Sequence, residues 1–120
     1  MTPSERRRYV TAATWILAGA MHFVLPKSYE AIVPPPLAHY KSEVVLLSGL
    51  AELAGGVGVL SPHSRRGARW FLLATLAAVF PANIYMATNS ERFTNIPRAL
   101  LWARLPLQGV FGALTWRGTR

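Results

Sequence analysis

The stretch Trp70-Phe71-Leu72-Leu73-Ala74-Thr75-Leu76-Ala77-Ala78-Val79-Phe80-Pro81-Ala82-Asn83-Ile84-Tyr85-Met86-Ala87 decides the fold. It carries no formal charge, and its polar side chains are Thr75, Asn83 and Tyr85. A helix rises about 1.5 Å per residue, so such a run is roughly 26 Å long, at the short end of what crosses a hydrocarbon core of about 30 Å. A helix in a soluble bundle needs a polar outer face, with charge recurring every turn or two. This run has none. Three further runs read the same way. Tyr9–Leu25 is uncharged, Val44–Leu60 holds only Glu52, and Ala99–Trp116 holds only Arg104. The pattern predicts one all-α domain over residues 1–120. It is an integral membrane four-helix bundle with helices at about 9–25, 44–60, 70–87 and 99–116.

Composition agrees. Hydrophobic residues make up 52% of the chain and charged residues 15%, against about 25% charged in an ordinary soluble domain. There is no cysteine, which excludes a disulfide framework, a thiol nucleophile and any thiolate-held metal cluster. The net charge is +8, yet the basic residues sit in short groups between apolar runs. That pattern argues for a lipid bilayer and against nucleic acid as the partner. Arg6, Arg7, Arg8, Arg65, Arg66, Arg69, Arg117 and Arg120 fall on one side of four crossings, and Lys27, Lys41, Arg92 and Arg98 on the other. The positive-inside rule then predicts an N-in/C-in topology, with both termini cytoplasmic. Reading the first run as a cleaved signal peptide, with Ala18-Gly19-Ala20 as its site, would leave an odd bundle of reversed charge bias.

The first outer loop, Pro26–Glu43, is long and proline-rich. Pro34-Pro35-Pro36 is expected to be extended. Tyr29, Ile32 and Val33, at i, i+3 and i+4, suggest a short surface helix before it. This loop is either an ordered connector or a lid over an outward-facing cavity. Ser61–Arg69 is short, making helices two and three antiparallel neighbours. In the second outer loop, Thr88–Arg98, Pro97 is placed to open helix four.

Ionisable groups inside a bilayer cost roughly 2.5–3.5 kcal/mol each at a helix centre on insertion scales. Glu52 and Arg104 therefore need a reason to be there. Opposite charge suggests that they approach within salt-bridge distance, directly or through one water or His22. His22, Asn83 and Gln108 share the outer half with Arg104, and Glu52 borders it, so all four helices contribute a polar group to one layer. The candidate ligand-binding set is His22, Glu52, Asn83, Arg104 and Gln108, with Tyr85 near the rim. Its rival is a collapsed polar layer that only fixes helix register. Ser48, Glu52 and Gly56 form one stripe on a glycine-rich helix, which allows close backbone approach. Pro81 and Pro106 free the carbonyls of Ala77 and Trp102 beside this layer. No catalytic motif, dinucleotide fingerprint or metal-spacing pair of histidines occurs, so the sequence assigns no catalytic residue and no metal.

Gly19-Ala20-Met21-His22-Phe23 with Pro26, then Tyr29 and Ile32-Val33-Pro34-Pro35, then Ser48-Gly49 with Glu52 and Gly55-Gly56, then Phe80-Pro81-Ala82-Asn83-Ile84-Tyr85-Met86 resemble the DoxX-like family of small bacterial membrane proteins. The resemblance covers about residues 15–112. It implies a multi-pass four-helix bundle of the bacterial inner membrane. It also implies a redox association, since the family name comes from a subunit associated with thiosulfate:quinone oxidoreductase. His22, Glu52 and Asn83 fall in the matching motifs, whereas Arg104 does not. The expected function is an accessory subunit of a membrane redox system, working with a membrane or peripheral redox partner. It would bind a quinone-like or lipid-like molecule in the outer-half cavity. Quinone is the candidate cofactor, and no covalently bound group is expected. The alternatives are a non-catalytic assembly or chaperone-like membrane protein, and a small proton-linked transporter using Glu52, which would need a homo-oligomer.

Overall fold

The computed structural model describes residues 1–93 and 96–120. The second outer loop expected over Thr88–Arg98 therefore includes two positions outside the described residues. Among the described residues the chain is all-helical, with no strand. It comprises α1 (Pro3–Val24), α2 (Pro26–Glu30), α3 (Lys41–Leu60), α4 (Arg65–Thr88) and α5 (Arg98–Gly118), with 3₁₀ turns at Pro35–Tyr40 and Ser90–Arg92.

The long helices overrun the apolar runs, and in α1 a polar cap accounts for it. Thr2 begins α1 with a capping box. Its hydroxyl accepts from the Glu5 N–H at 3.1 Å, while the Glu5 carboxylate accepts from the Thr2 N–H at 3.4 Å. Pro3 follows at the first position, where its missing N–H costs nothing. At the far end of α3 the orphan carbonyls are taken by side chains. Ser64 Oγ donates to Gly58 at 2.7 Å, and Arg65 Nε donates to Val59 at 2.8 Å. Pro34 is extended as expected, but Pro35 and Pro36 are not, for they open the 3₁₀ turn. The first positions of a helix need no donor, and a proline φ already suits them. Pro97 is the residue before α5 rather than its first.

Among the described residues, two segments are long and apolar enough to cross a membrane. Pro35–Leu60, which is α3 with its preceding turn, has a mean hydropathy of 1.7, and α4 has 1.6. In α1 the run Arg6-Arg7-Arg8 and His22 dilute the apolar length, and in α5 Arg104 and Gln108 do so.

The four long helices form a ring in the order α1, α3, α4, α5, each packed chiefly on two neighbours. Glycine sets the close approach of α1 to α3. A Cβ on Gly19 would stand 2.8 Å from the Gly49 carbonyl oxygen and 2.9 Å from the Leu53 nitrogen. Backbone meets backbone there, so only glycine fits. The α1–α5 side is held by Trp15, whose ring stacks on Phe111 at 4.4 Å and whose Nε1–H donates to Thr115 at 2.9 Å. Ala12, Trp15, Val59, Ala68 and Leu72 close the ring at the end that carries the termini. Among the described residues no equivalent cluster fills the opposite end, and the polar layer lies there. The outward faces are apolar. Leu17, Val57, Phe71 and Val110 all stand exposed.

Candidate functional site

A cavity of about 770 Å³ occupies the open half of the ring. All four long helices line it, and the first connection contributes Tyr29, Ile32, Val33, Pro34 and Leu37. The connection therefore forms a wall of the cavity. Most of the lining is aliphatic or aromatic, and the polar groups are few and specific.

His22, Glu52, Asn83, Arg104 and Gln108 all line this cavity. They resolve into two pairs and one separate cation. The first pair joins α1 to α3. His22 Nδ1 lies 2.8 Å from the Ala18 carbonyl oxygen. A carbonyl only accepts, so Nδ1 carries the hydrogen, and the other ring nitrogen is left to face α3. His22 Nε2 stands 3.0 Å from Glu52 Oε2. One proton placed between them makes the pair imidazolium and carboxylate, or imidazole and carboxylic acid. The contact is short but poorly aligned, and Oε2 lacks a hydrogen bond of good geometry. His22 is 8% exposed and Glu52 7%. Gly49 sets the register, because a Cβ there would lie 2.8 Å from His22 Cβ.

The second pair joins α4 to α5. Asn83 Nδ2 donates to Gln108 Oε1, and Gln108 Nε2 donates onward to the Leu76 carbonyl. The carbonyl expected to be freed by Pro81 is that of Ala77; Gln108 takes the one next to it.

Arg104 does not pair with Glu52. Among the described residues, no carboxylate lies within 4.0 Å of its guanidinium. The ring order explains this, since α1 is adjacent to α3 whereas α5 is not. The Glu52 carboxylate therefore meets the histidine of its neighbour. Arg104 is still felt across the cavity. Burial pushes the Tyr29 phenol above its ordinary value; the Glu52 charge adds to the shift and the Arg104 charge opposes it.

Tyr85 does not line the cavity. Two residues along a helix turn the side chain through about 200°, so Tyr85 points away from the face that Asn83 presents. Its hydroxyl accepts from Arg92 at 2.8 Å, and its ring meets Phe93 edge-on. Tyr29 takes the place expected for it. The Tyr29 ring stacks on His22 with centroids 4.0 Å apart, covering the imidazole from the loop side. Tyr29 shows in the sequence as one member of an apolar periodicity and of the motifs that carry the resemblance, with nothing local to tie it to His22.

Among the described residues there is no group of three or more His, Cys, Asp or Glu side chains placed to hold a metal. The chemistry on offer is a proton held between His22 and Glu52, a guanidinium donor, and apolar walls. A family described as Domain of unknown function (DUF8561) matches residues 11–119. The chain belongs to that family. No curated protein and no solved structure matches it. The family span starts at Thr11, whose hydroxyl donates to Leu114 at 3.2 Å, and ends at Thr119, which bonds Arg69. The matched span thus takes in residues of all four long helices of the ring.

Proposed function

We propose that this member of the family is a multi-pass protein of the bacterial inner membrane, folded as an N-in/C-in four-helix bundle. Its cavity takes a small amphiphilic molecule, quinone-like or lipid-like, and the protein serves as an accessory subunit of a membrane redox system. The observation that carries the reading is the cavity itself. It is large and mainly apolar, with a few polar side chains in its lining, His22, Glu52, Asn83, Arg104 and Gln108 among them, which suits an apolar body with one or two oxygens. Arg104 can donate to such an oxygen, and the His22–Glu52 pair can give or take a proton. The membrane setting is supported by the outward apolar faces; Leu17 and Val110 are each 64% exposed. A soluble monomer rarely exposes so much contiguous apolar surface. The long axis of 45 Å also matches a bilayer of about 40–45 Å with its headgroups. The redox association rests on the DoxX-like resemblance of the His22, Glu52 and Asn83 segments.

Topology is tested with reporter fusions after Arg120 and within residues 88–98. These are expected to report cytoplasm and exterior respectively, and an exterior C-terminus overturns the arrangement. Ligand binding is tested by native mass spectrometry of the detergent-extracted chain. One apolar molecule is expected on the wild type. Arg104→Leu is expected to lose it with the melting temperature unchanged, because Arg104 supports no other side chain. If wild type retains nothing and Arg104→Leu changes stability alone, the polar layer is structural and the assembly role replaces this one.

A further inference from the structure

At the end that carries the termini, two guanidinium groups stand together without a counter-ion. The α1–α3 crossing at Ala12 and Gly56, continued by one turn, brings Arg8 beside Leu60. Arg65 reaches the same place from α4, donating to the carbonyls of Val59 at 2.8 Å and Leu60 at 3.3 Å. Arg65 lies within electrostatic range of both Arg8 and Tyr9. Arg8 Nε is buried and has no hydrogen-bond partner. The acid nearest in sequence is Glu5, whose carboxylate is engaged with the Thr2 N–H. Among the described residues, no carboxylate at this end comes within 4.0 Å of a basic group. Arg69, by contrast, is committed to Thr119 and lies over the Trp116 ring.

Two adjacent like charges, one with an orphaned buried N–H, call for an anion. The surroundings indicate its level. Tyr9, Trp70 and Trp116 are all exposed at this same end, as aromatic residues are at a membrane–water interface. Leu60, beside Arg8, and Val57, one turn back along α3, are both exposed and offer an acyl chain apolar surface. We propose that Arg8 and Arg65 form a binding site for a phosphate group, of the kind an anionic lipid headgroup presents at the cytoplasmic face. Guanidinium forks match phosphate oxygens in charge and geometry. The site rests on the membrane reading but is independent of the cavity and its ligand.

The test uses the full chain in detergent, with binding read by native mass spectrometry and by thermal shift. Phosphatidylglycerol, zwitterionic phosphatidylcholine and inorganic phosphate are titrated separately. Phosphatidylglycerol is expected to bind and stabilise, and phosphatidylcholine to do neither. Arg8→Gln is expected to weaken phosphatidylglycerol binding by about five- to ten-fold. Arg8→Lys should keep part of the affinity, and Arg117→Gln, outside the cluster, should leave it unchanged. Protection by phosphatidylglycerol but not by phosphate assigns the site to the headgroup; equal protection by inorganic phosphate assigns it to a soluble phosphate. Equal losses in Arg8→Gln and Arg117→Gln overturn the proposal, since the attraction is then that of net charge alone. So does equal binding of the two lipids. Melting of Arg8→Lys without lipid separates lost binding from lost folding. Release of the chain from membranes by alkaline carbonate marks failure of the membrane reading instead.

Discussion

His22→Leu is expected to destabilise the protein by about 3–5 kcal/mol, the usual cost of removing one partner from a buried pair. The replacement keeps the apolar volume of α1 but leaves the Glu52 carboxyl 7% exposed with nothing to share its proton. Glu52→Gln is expected to be far milder. His22 Nδ1 is committed to the Ala18 carbonyl, so Nε2 in the neutral ring is a free acceptor. The glutamine amide can donate to it from nearly the position of Oε2. Had Arg104 been the partner, the same change would have stranded a cation and been severe. The paired variant His22→Leu with Glu52→Leu should recover most of the loss, because no unpaired polar group is left behind. Melting of the four proteins in one detergent closes the cycle. If His22→Leu and the paired variant melt together, His22 and Glu52 are not coupled. A large loss in Glu52→Gln would show that Glu52 works as a fixed charge toward another group.

Gly19→Ala should cost about 1–3 kcal/mol, the range for overpacking a tight contact. The added carbon would sit 2.8 Å from the Gly49 oxygen and 2.9 Å from the Leu53 nitrogen. Neither is the end of a flexible side chain, so relief requires α1 and α3 to separate. Separation at that point also moves His22, one turn further along α1, away from Glu52. Gly109→Ala provides the contrast. Nothing lies within 4 Å of its missing side chain, so alanine should be neutral or gain up to about 1 kcal/mol from helix propensity. Thermal melting of the two variants beside wild type tests this. Equal behaviour of Gly19→Ala and Gly109→Ala would mean that the α1–α3 approach does not limit stability.

Much of this molecule is local and therefore written in order along the chain. The uncharged stretch 70–87 and its three counterparts mark the long helices, because apolar length and the lack of charge are properties of consecutive residues. The capping box at Thr2 and Glu5 is local too, although it lies outside the apolar signal and lengthened α1 beyond its expected start. Depth along a helix follows from counting. That is why His22, Glu52, Asn83, Arg104 and Gln108 were found in one layer and all line one cavity. Tyr85 failed by the same arithmetic read around the helix axis: the right depth, but the wrong face.

Partner choice was not legible, because it depends on which helices stand side by side. Opposite charge alone pointed from Glu52 to Arg104. The ring order placed α1 next to α3 and gave the carboxyl to His22, whose tautomer was already set by the Ala18 carbonyl. The same order let Asn83 and Gln108 satisfy each other, left Arg104 facing the cavity, and turned Tyr29 from a loop aromatic into the cover of the imidazole. The bend after Pro34 belongs here as well. A proline triplet is compatible with both an extended strand and the first turn of a 3₁₀ helix, and the need to roof the cavity with Ile32, Val33 and Leu37 goes with the second. Sequence by itself determined how many long helices there are, which residues share a depth, and which end is basic, since each follows from order and spacing. Only the tertiary structure decided who meets whom across the ring, because a side chain's direction and its neighbour are set by packing between segments far apart in the chain.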